Sequence, residues 1–308
     1  MWRSRSPFLS AAALLALLGW SGAGRAQACC AGGSALTPGR LSPHEDALAG
    51  VQARAAYVYA TFDGSGHYAT SPPGTSEVDL EQDVFGAVRF LERGQAALLV
   101  PLVETHRKTQ TLGPEFGGGL GDINLSARYD FTLAGGSPIV PGIGVLAGIT
   151  FPTGKAPDAP DLRPLGTDAT GVGAFQGNVG LALEQTYGSW LVNLTGLVAK
   201  RAARDVQGVH SVLGTQVTML AAGGYTFSNE ASVVLVGAYT VEGDATVNGS
   251  DVPGSARRVL LTSVAGLLPL SDHLRLTASL FVNPPIPNVG KNMPATTGLT
   301  VGAVYAWF

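Results

Sequence analysis

Hydrophobic and polar residues alternate along most of the chain from Ala47 to its carboxyl end. In the stretch GGGLGDINLSARYDF at 117–131 the alternation is complete from Asp122 onward. Because successive side chains of an extended strand point to opposite faces, this stretch predicts a strand with two unlike faces. The apolar face carries Ile123, Leu125, Ala127, Tyr129 and Phe131, and the polar face carries Asp122, Asn124, Ser126, Arg128 and Asp130.

Similar segments recur between groups of turn residues, and they predict an all-β chain. The predicted strands are 48–61, 77–90, 95–105, 121–132, 139–151, 174–186, 190–200, 211–226, 231–242, 257–270, 274–283 and 297–308. The division between faces is clean in 174–186 and 274–282, and in 77–90 Gln82 is the one exception on the apolar face. Segments 232–236 and 259–268 are apolar on both faces, a pattern that a soluble β-sandwich core also produces.

Long and short connections alternate strictly between these segments. The long ones are 63–76, 106–120, 152–173, 201–210, 243–256 and 284–296, and the short ones are 91–94, 133–138, 187–189, 227–230 and 271–273. Antiparallel barrels of the outer membrane have tight turns on the periplasmic rim and longer loops outside. The pattern predicts a closed antiparallel transmembrane β-barrel of about 12 strands over 47–308.

Both ends of the chain fit this prediction. Arg3 and Arg5 precede an apolar run that ends before the small-residue pattern Ala26-Gln27-Ala28, so we interpret 1–28 as a cleaved signal peptide. Cys29 leaves a lipoprotein as the alternative, and 29–46 is expected to be a periplasmic lead that either plugs the lumen or hangs free. At the other end, Phe308 closes an alternating strand, which resembles the signal read by the barrel assembly machinery. The face with Tyr305 and Trp307 is the one expected in lipid.

Composition excludes some classes of function. Charged residues make up 13% of the chain, hydrophobic residues 45%, and glycine 42 of 308 residues, which is unusual for a soluble domain. The net charge of -3 argues against a nucleic-acid partner. The two adjacent cysteines, Cys29 and Cys30, cannot form disulfides that link distant parts of the fold. Neither a metal nor a cofactor is expected.

Charged side chains on the inward faces form the candidate site. The acidic group on 79–83, together with Asp122 and Asp130, admits a metal cage or an acid–base pair as alternatives, but charges in a lumen commonly balance one another and set selectivity. The residues predicted to line the lumen and set its selectivity are Asp79, Glu81, Asp83, Arg89, Asp122, Asn124, Arg128 and Asp130.

Catalytic motifs are incomplete. Gly142 to Ala147 matches a dinucleotide pattern but lies within a strand, and Gly154-Lys155 lacks the Ser or Thr of a phosphate loop. His67, His106 and His210 fall in or beside outer loops, where a hydrolase site is conceivable but solvated histidines are the simpler interpretation. No catalytic residue is predicted.

Parts of the sequence also resemble a known protein family. The stretch GGGLGDINLSARYDF, the turn AGGSP and the following PGIGVLAGITFPTGK resemble the family described as MetA-pathway of phenol degradation. The likeness is best over roughly 85–200 and returns in the last strand. The resemblance implies a porin-like barrel and, by association, the passage of aromatic or other hydrophobic compounds.

The main functional hypothesis is a porin-like channel for small solutes in the outer membrane of a Gram-negative bacterium. Twelve strands predict a narrow or partly occluded lumen. Its expected partners are outer-membrane lipid, the barrel assembly machinery and a small-molecule solute. The alternatives are a structural or adhesive plugged barrel with partner-binding outer loops and, third, an outer-membrane hydrolase.

Overall fold

The computed structural model describes residues 40–159, 161–206 and 209–308. The predicted signal peptide and residues 29–39 of the lead lie outside the described residues. No helix in the described part is long and apolar enough to cross a membrane.

Twelve long strands form the body of the protein, one for each predicted segment. They are β1 (Ala47–Phe62), β2 (Ser76–Leu91), β3 (Gly94–Lys108), β4 (Ile123–Thr132), β5 (Gly142–Phe151), β6 (Gln176–Tyr187), β7 (Trp190–Arg201), β8 (Gln216–Thr226), β9 (Ser232–Glu242), β10 (Arg257–Pro269), β11 (Leu274–Val282) and β12 (Met293–Trp307).

The strands close into a ring. Each pairs antiparallel with its neighbours along the chain, and β12 pairs with β1 from Ala47↔Trp307 to Phe62↔Met293. A closed ring satisfies backbone groups that hydrocarbon cannot hydrogen-bond. The prediction of a closed antiparallel barrel of 12 strands is confirmed.

Several predicted boundaries are wrong, for local reasons. The strand predicted at 139–151 begins only at Gly142, because Pro138 and Pro141 have no N–H to give to a ladder. The strand predicted at 211–226 begins at Gln216, and Ser211 belongs to a short loop strand, Val209–Val212. The strand predicted at 297–308 begins earlier, at Met293.

The outer loops carry six short strands. Tyr68–Thr70 pairs with β1, and Glu115–Leu120 pairs with β3. The other four, Arg204–Val206, Val209–Val212, Thr246–Val247 and Ser250–Asp251, form a separate sheet. This sheet joins the loop that follows β7 to the loop that follows β9, so the two loops support each other.

The two faces of the strands have opposite surroundings. On β4, Phe131 is 55% exposed on the exterior while Arg128 is 8% exposed in the lumen. On β12, Tyr305 and Trp307 are exposed and Val304 is buried, as the preferred register required. The exterior is therefore an apolar surface that lipid must cover.

The strands that are apolar on both faces are explained by a lumen that is partly apolar. Val233 and Leu235 of β9 face the exterior, whereas Val234 and Val236 are buried and pack inside with Leu220 of β8. Inward-facing side chains thus fill one side of the barrel, and no second sheet is needed.

The glycine run at 117–121 allows a loop to approach closely. The strand Glu115–Leu120 has β3 on one edge only. On its other edge, Thr170 Oγ1 donates to the carbonyl of Leu120 at 2.7 Å, and Arg163 donates to the carbonyl of Phe116. A Cβ on Gly117 would lie 2.5 Å from Thr167, so glycine is required for this contact.

Candidate functional site in the barrel lumen

Residues 40–46 lie in the periplasmic mouth of the barrel, at the end where β1 begins and β12 ends. Arg40 forms an ion pair with Glu184 of β6, and the Leu41 N–H donates to Gln95 Oε1 of β3 at 3.0 Å. Glu45, which is 2% exposed, pairs with Arg275 of β11 at 2.6 Å. The segment is tied to three separate strands, so this part of the lead occupies the lumen.

Arg89 belongs to this attachment. Its guanidinium donates to the carbonyl of Ser42 at 2.5 Å and to the carbonyl of Glu45 at 2.9 Å. The sequence predicted Arg89 among the residues that face the permeating solute. In the structure its contacts are to the backbone of the N-terminal segment and to the carbonyl of Glu92.

Next to Arg40 in the lumen, Arg128 joins two acidic residues. Its guanidinium lies 2.7 Å from Asp130 and 3.1 Å from Glu184, and Asn193 also donates to Glu184 at 2.8 Å. Arg128 and Glu184 are both largely buried. Buried charges of this kind persist only when they are paired, and with Arg40 the cluster contains two cations and two anions.

A cavity of about 290 Å³ lies next to this cluster. Asn124 reaches it from β4 and donates to Thr150 of β5 at 2.9 Å. Its inward-facing lining is mixed: Gln95, Asn124, Asn178 and Gln216 are polar, and Phe85, Leu99, Leu146 and Leu197 are apolar. The cavity can therefore receive a small molecule that has both a polar and an apolar part.

Phe85 separates this space from a second one. The ring belongs to the lining of both the larger cavity and a cavity of about 120 Å³ on the side of β10 to β12. It is seated over Gly50, where a Cβ would lie 2.5 Å from the ring. A side chain larger than hydrogen at position 50 would displace Phe85.

The inward face of β2 carries four carboxylates, of which Glu77 pairs with Arg107 at 2.7 Å near the outer end. Asp79 accepts from Thr105 Oγ1 at 2.9 Å, and Asp83 accepts from Gln52 Nε2 at 2.7 Å. Glu81 has one cation near it, Arg54 at 3.3 Å, in a partly exposed pair. We call Asp79, Glu81 and Asp83 the acidic wall.

Asp122 makes its contacts with an outer loop. It precedes β4, and its carboxylate accepts hydrogen bonds from the backbone N–H groups of Gly154 at 2.9 Å and Val172 at 2.6 Å. The sequence placed Asp122 on the inward face of a strand that begins at 121. The strand begins at Ile123, so Asp122 instead fastens the two ends of the loop from 152 to 175.

Sequence reasoning left several lumen charges out of the candidate site. Glu184 and Arg54 lie on inward positions that the alternation identifies, so their burial could have been anticipated. Arg40 and Glu45 precede the first strand, where no periodic pattern shows which residues point inward. Arg201 and Glu242, 2.7 Å apart, come from strands that are not consecutive.

The three histidines that the sequence placed in or beside outer loops contact residues of those same loops. His106 stacks edge-on against Phe116, and His210 pairs with Asp205 at 2.9 Å in an exposed loop. His67 lies 2.6 Å from Ser65 Oγ, but that hydroxyl and the backbone N–H of His67 both bind Asp63, within a single exposed turn. Within the described ranges no group of three or more His, Cys, Asp or Glu residues is placed to hold a metal ion.

The turn formed by residues 63–67 lies outside the membrane and changes the pKa of Asp63. The hydroxyl of Ser65 and the backbone N–H of His67 hydrogen-bond the carboxylate of Asp63 and lower its pKa to about 2. Asp63 is therefore ionised throughout the physiological range.

Solved structures of outer-membrane barrels are similar to this chain to different degrees, and the first of them shares its fold. The COG4313 outer membrane channel from Pseudomonas putida F1 has a TM-score of 0.71 and 16% identity, covering 88% of this chain and 98% of that chain. The translocator domain of the autotransporter NalP from Neisseria meningitidis has a TM-score of 0.45 and 11% identity, covering 89% and 91%. The NanC porin has a TM-score of 0.43 and 9% identity, covering 83% and 98%.

No family model matches the sequence, and no curated protein matches it. The first of these structural likenesses, together with the apolar exterior and the alternation of short turns and long loops, establishes the fold. The chain folds as a closed antiparallel β-barrel of the kind seen in that outer membrane channel.

Proposed function

We propose that this protein is an outer-membrane channel for small solutes and that it belongs to the MetA-pathway of phenol degradation family. The observation that carries the proposal is the cavity of about 290 Å³ inside a closed barrel. The solved structure with the TM-score of 0.71 is described as a channel, which supports the same role. The contacts of the histidines support a protein without catalytic activity.

The lining of the cavity favours solutes that are aromatic or otherwise largely apolar. Phe85, Leu99, Leu146 and Leu197 supply apolar surface, while Asn124 and Gln95 supply hydrogen-bonding groups. A phenol-like molecule has both kinds of surface. This lining and the family resemblance are independent arguments for the same class of solute.

Solute flux tests the proposal. Liposomes that contain the purified protein should swell in small neutral solutes, and Leu146→Trp, which fills part of the cavity, should reduce the rate several-fold. Val145→Trp is the matched control, because Val145 is the next residue and faces the exterior. Equal rates in both variants, or no flux above empty liposomes, would contradict a channel through this cavity.

A plugged barrel with partner-binding loops is the second candidate. It is favoured by the position of residues 40–46 in the periplasmic mouth, held by Arg89 and Arg275. The two candidates differ when the segment is released. Absence of flux even in a variant that frees the segment would favour the plugged barrel, whereas flux would favour the channel.

A further inference from the structure

The outer ends of four consecutive strands bring together a cluster of charged and polar side chains. Arg201 ends β7, Gln216 begins β8, Glu242 ends β9 and Arg257 begins β10. The register pairs Gln216 with Glu242, and Glu242 with Arg257. Because paired residues point to the same face, these side chains converge on one point of the lumen.

The cluster contains more positive than negative charge. Arg201, Arg257 and Arg258 carry three guanidinium groups, and Glu242 is the only carboxylate among the residues that line the space between them. The Arg201 guanidinium already has two partners within the protein, because it pairs with Glu242 at 2.7 Å and donates to Gln176 Oε1 at 2.8 Å. The structure gives Arg257 and Arg258 no carboxylate partner among the described residues.

One nitrogen of Arg258 is left without a protein partner among the residues that the structure describes. Its Nε is buried and has no hydrogen-bond acceptor in the described part of the chain. A guanidinium N–H without an acceptor is unfavourable in a buried place, since the lost hydration is not replaced. The backbone of Arg258 also pairs with that of Lys291, so a further cationic residue lies nearby in space.

A small cavity lies at this cluster. It has a volume of about 120 Å³ and is lined by the three arginines, Gln216, Thr240, Glu242, Val259 and Met293. The loops after β7 and β9 are joined above these strand ends by their own four-stranded sheet. Guanidinium groups bind carboxylates and phosphates through two parallel hydrogen bonds, and such bonds are stronger where water is limited.

We propose that this cavity is a binding site for the anionic group of an entering solute, a carboxylate or a phosphate. The inference names the solute class of the channel proposed above and so rests on that function. Arg201, Gln216, Glu242 and Arg257 come from the inward faces of β7 to β10 and place the site on the lumen side, which favours a free solute over a lipid phosphate. Arg258 lines the same cavity although its register partner, Val241, faces the exterior. Across the ring, the acidic wall on β2 repels the same group, so the anion is directed to one side of the pore.

Binding to the purified protein is the direct test. In detergent free of lipopolysaccharide, calorimetry with benzoate and with inorganic phosphate should show saturable binding. The variant Arg257→Gln/Arg258→Gln should weaken binding at least about tenfold, which corresponds to 1.4 kcal/mol. Lys108→Gln, which removes an exposed charge at the outer end of β3, is the control and should bind like the unchanged protein.

A second measurement does not depend on the variant folding. Phenylglyoxal modifies accessible arginines, and saturating benzoate should slow the modification of Arg257 and Arg258 in the unchanged protein, as read by peptide mass analysis. No saturable binding of either anion, or equal binding by the double variant and the control, would overturn the proposal. Binding that requires vesicles containing lipid A, with none of the free anions, would also overturn it in favour of a lipid site.

Failure of this inference and failure of the channel are distinguishable. Liposome swelling reports whether solutes cross, and calorimetry reports whether anions bind. Flux of neutral solutes without anion binding would retain the channel and remove the site. Anion binding without flux would retain the site and remove the channel.

Discussion

Glu45 and Arg275 form a two-point ion pair inside the periplasmic mouth, with distances of 2.6 and 3.0 Å, although 230 residues separate them in the chain. Glu45 also accepts the backbone N–H of Ser42 at 2.8 Å. The pair connects the N-terminal segment to β11, on a different part of the ring from the Arg40–Glu184 pair. Together the two pairs hold the segment in the lumen.

Weakening the Glu45–Arg275 ion pair should open the barrel to solute. Removing one partner of a buried ion pair costs about 3–5 kcal/mol. We expect Glu45→Gln to release residues 40–46 and to raise solute flux several-fold in the liposome swelling assay. Asp46→Asn is the control, because Asp46 is exposed and only its backbone takes part in the hydrogen bonds. Unchanged flux in Glu45→Gln would show that the segment does not limit passage.

The Arg128 cluster should contribute to stability as a unit. We expect Arg128→Met to lower the free energy of unfolding by about 3–5 kcal/mol, because it leaves Asp130 without its cation. Adding Glu184→Gln should cost less than the sum of the two single changes, with a coupling energy of about 0.5–3 kcal/mol. Urea unfolding followed by the heat-modifiable gel shift measures both values.

A comparison with the acidic wall sharpens this test. Arg54 and Glu81 form a partly exposed pair at 3.3 Å, so Arg54→Met should cost less than about 1 kcal/mol. If Arg54→Met destabilises the barrel as much as Arg128→Met, burial does not govern the strength of these pairs.

Lipid contact should make the exterior intolerant of charge in a way that depends on depth. Leu235, 63% exposed, is the fourth of the 11 residues of β9 and lies on the outward face, away from the outer end of the strand. Leu235→Arg should destabilise the barrel in lipid vesicles by about 2–4 kcal/mol, and Val241→Arg, near the outer end of the same strand, by about 0–1 kcal/mol. Similar costs at both positions would contradict this placement of the membrane.

The turn at Asp63 should keep its hydrogen bonds into acid. Because the pKa of Asp63 is lowered from 3.8 to about 2, the turn's stabilisation is complete above pH 3.8 and is lost as the pH falls through 2. A ¹³C NMR titration of the Asp63 carboxyl carbon in micelles should give a midpoint near 2. Ser65→Ala should move the midpoint up toward 3.8, and an unchanged protein that titrates near 3.8 would refute the turn geometry.

Gly117 should be needed to seat the loop from 152 to 175. A valine there would clash with Thr167, so Gly117→Val should displace the loop and increase proteolytic cleavage within it. Gly177→Val is a matched control on β6, because a Cβ at Gly177 would meet nothing within 4 Å. Equal cleavage of the two variants would show that the loop tolerates a side chain at position 117.

The barrel could be predicted because its pattern is local. Alternation along a strand such as β4 follows from the geometry of an extended chain, so Arg128 and Phe131 were assigned to the correct faces from the sequence. The rhythm of connections predicts which rim is periplasmic. The strand limits near Pro141 and Gln216 were misjudged because backbone donors and loop contacts decide them.

The site was less predictable because its contacts join distant parts of the chain. Asp122 and Arg89 are charged residues at positions that the alternation predicts to face the lumen. Both instead bind backbone groups whose positions only the folded chain defines. Arg40 and Glu45 precede any periodic pattern. The excess charge of Arg257 and Arg258 becomes visible only when the register brings Glu242 and Arg201 beside them.

The loop that contacts the glycines of 117–121 affects how the short strand Glu115–Leu120 can associate with a neighbouring molecule. An uncovered ladder edge invites a neighbouring molecule to add its own strand. Side chains of Arg163 and Thr170 already occupy the carbonyls of Phe116 and Leu120 on the free edge of that short strand. Two acceptors on this edge are therefore already hydrogen-bonded within the molecule, which makes the edge a poorer template for a strand of a neighbouring copy.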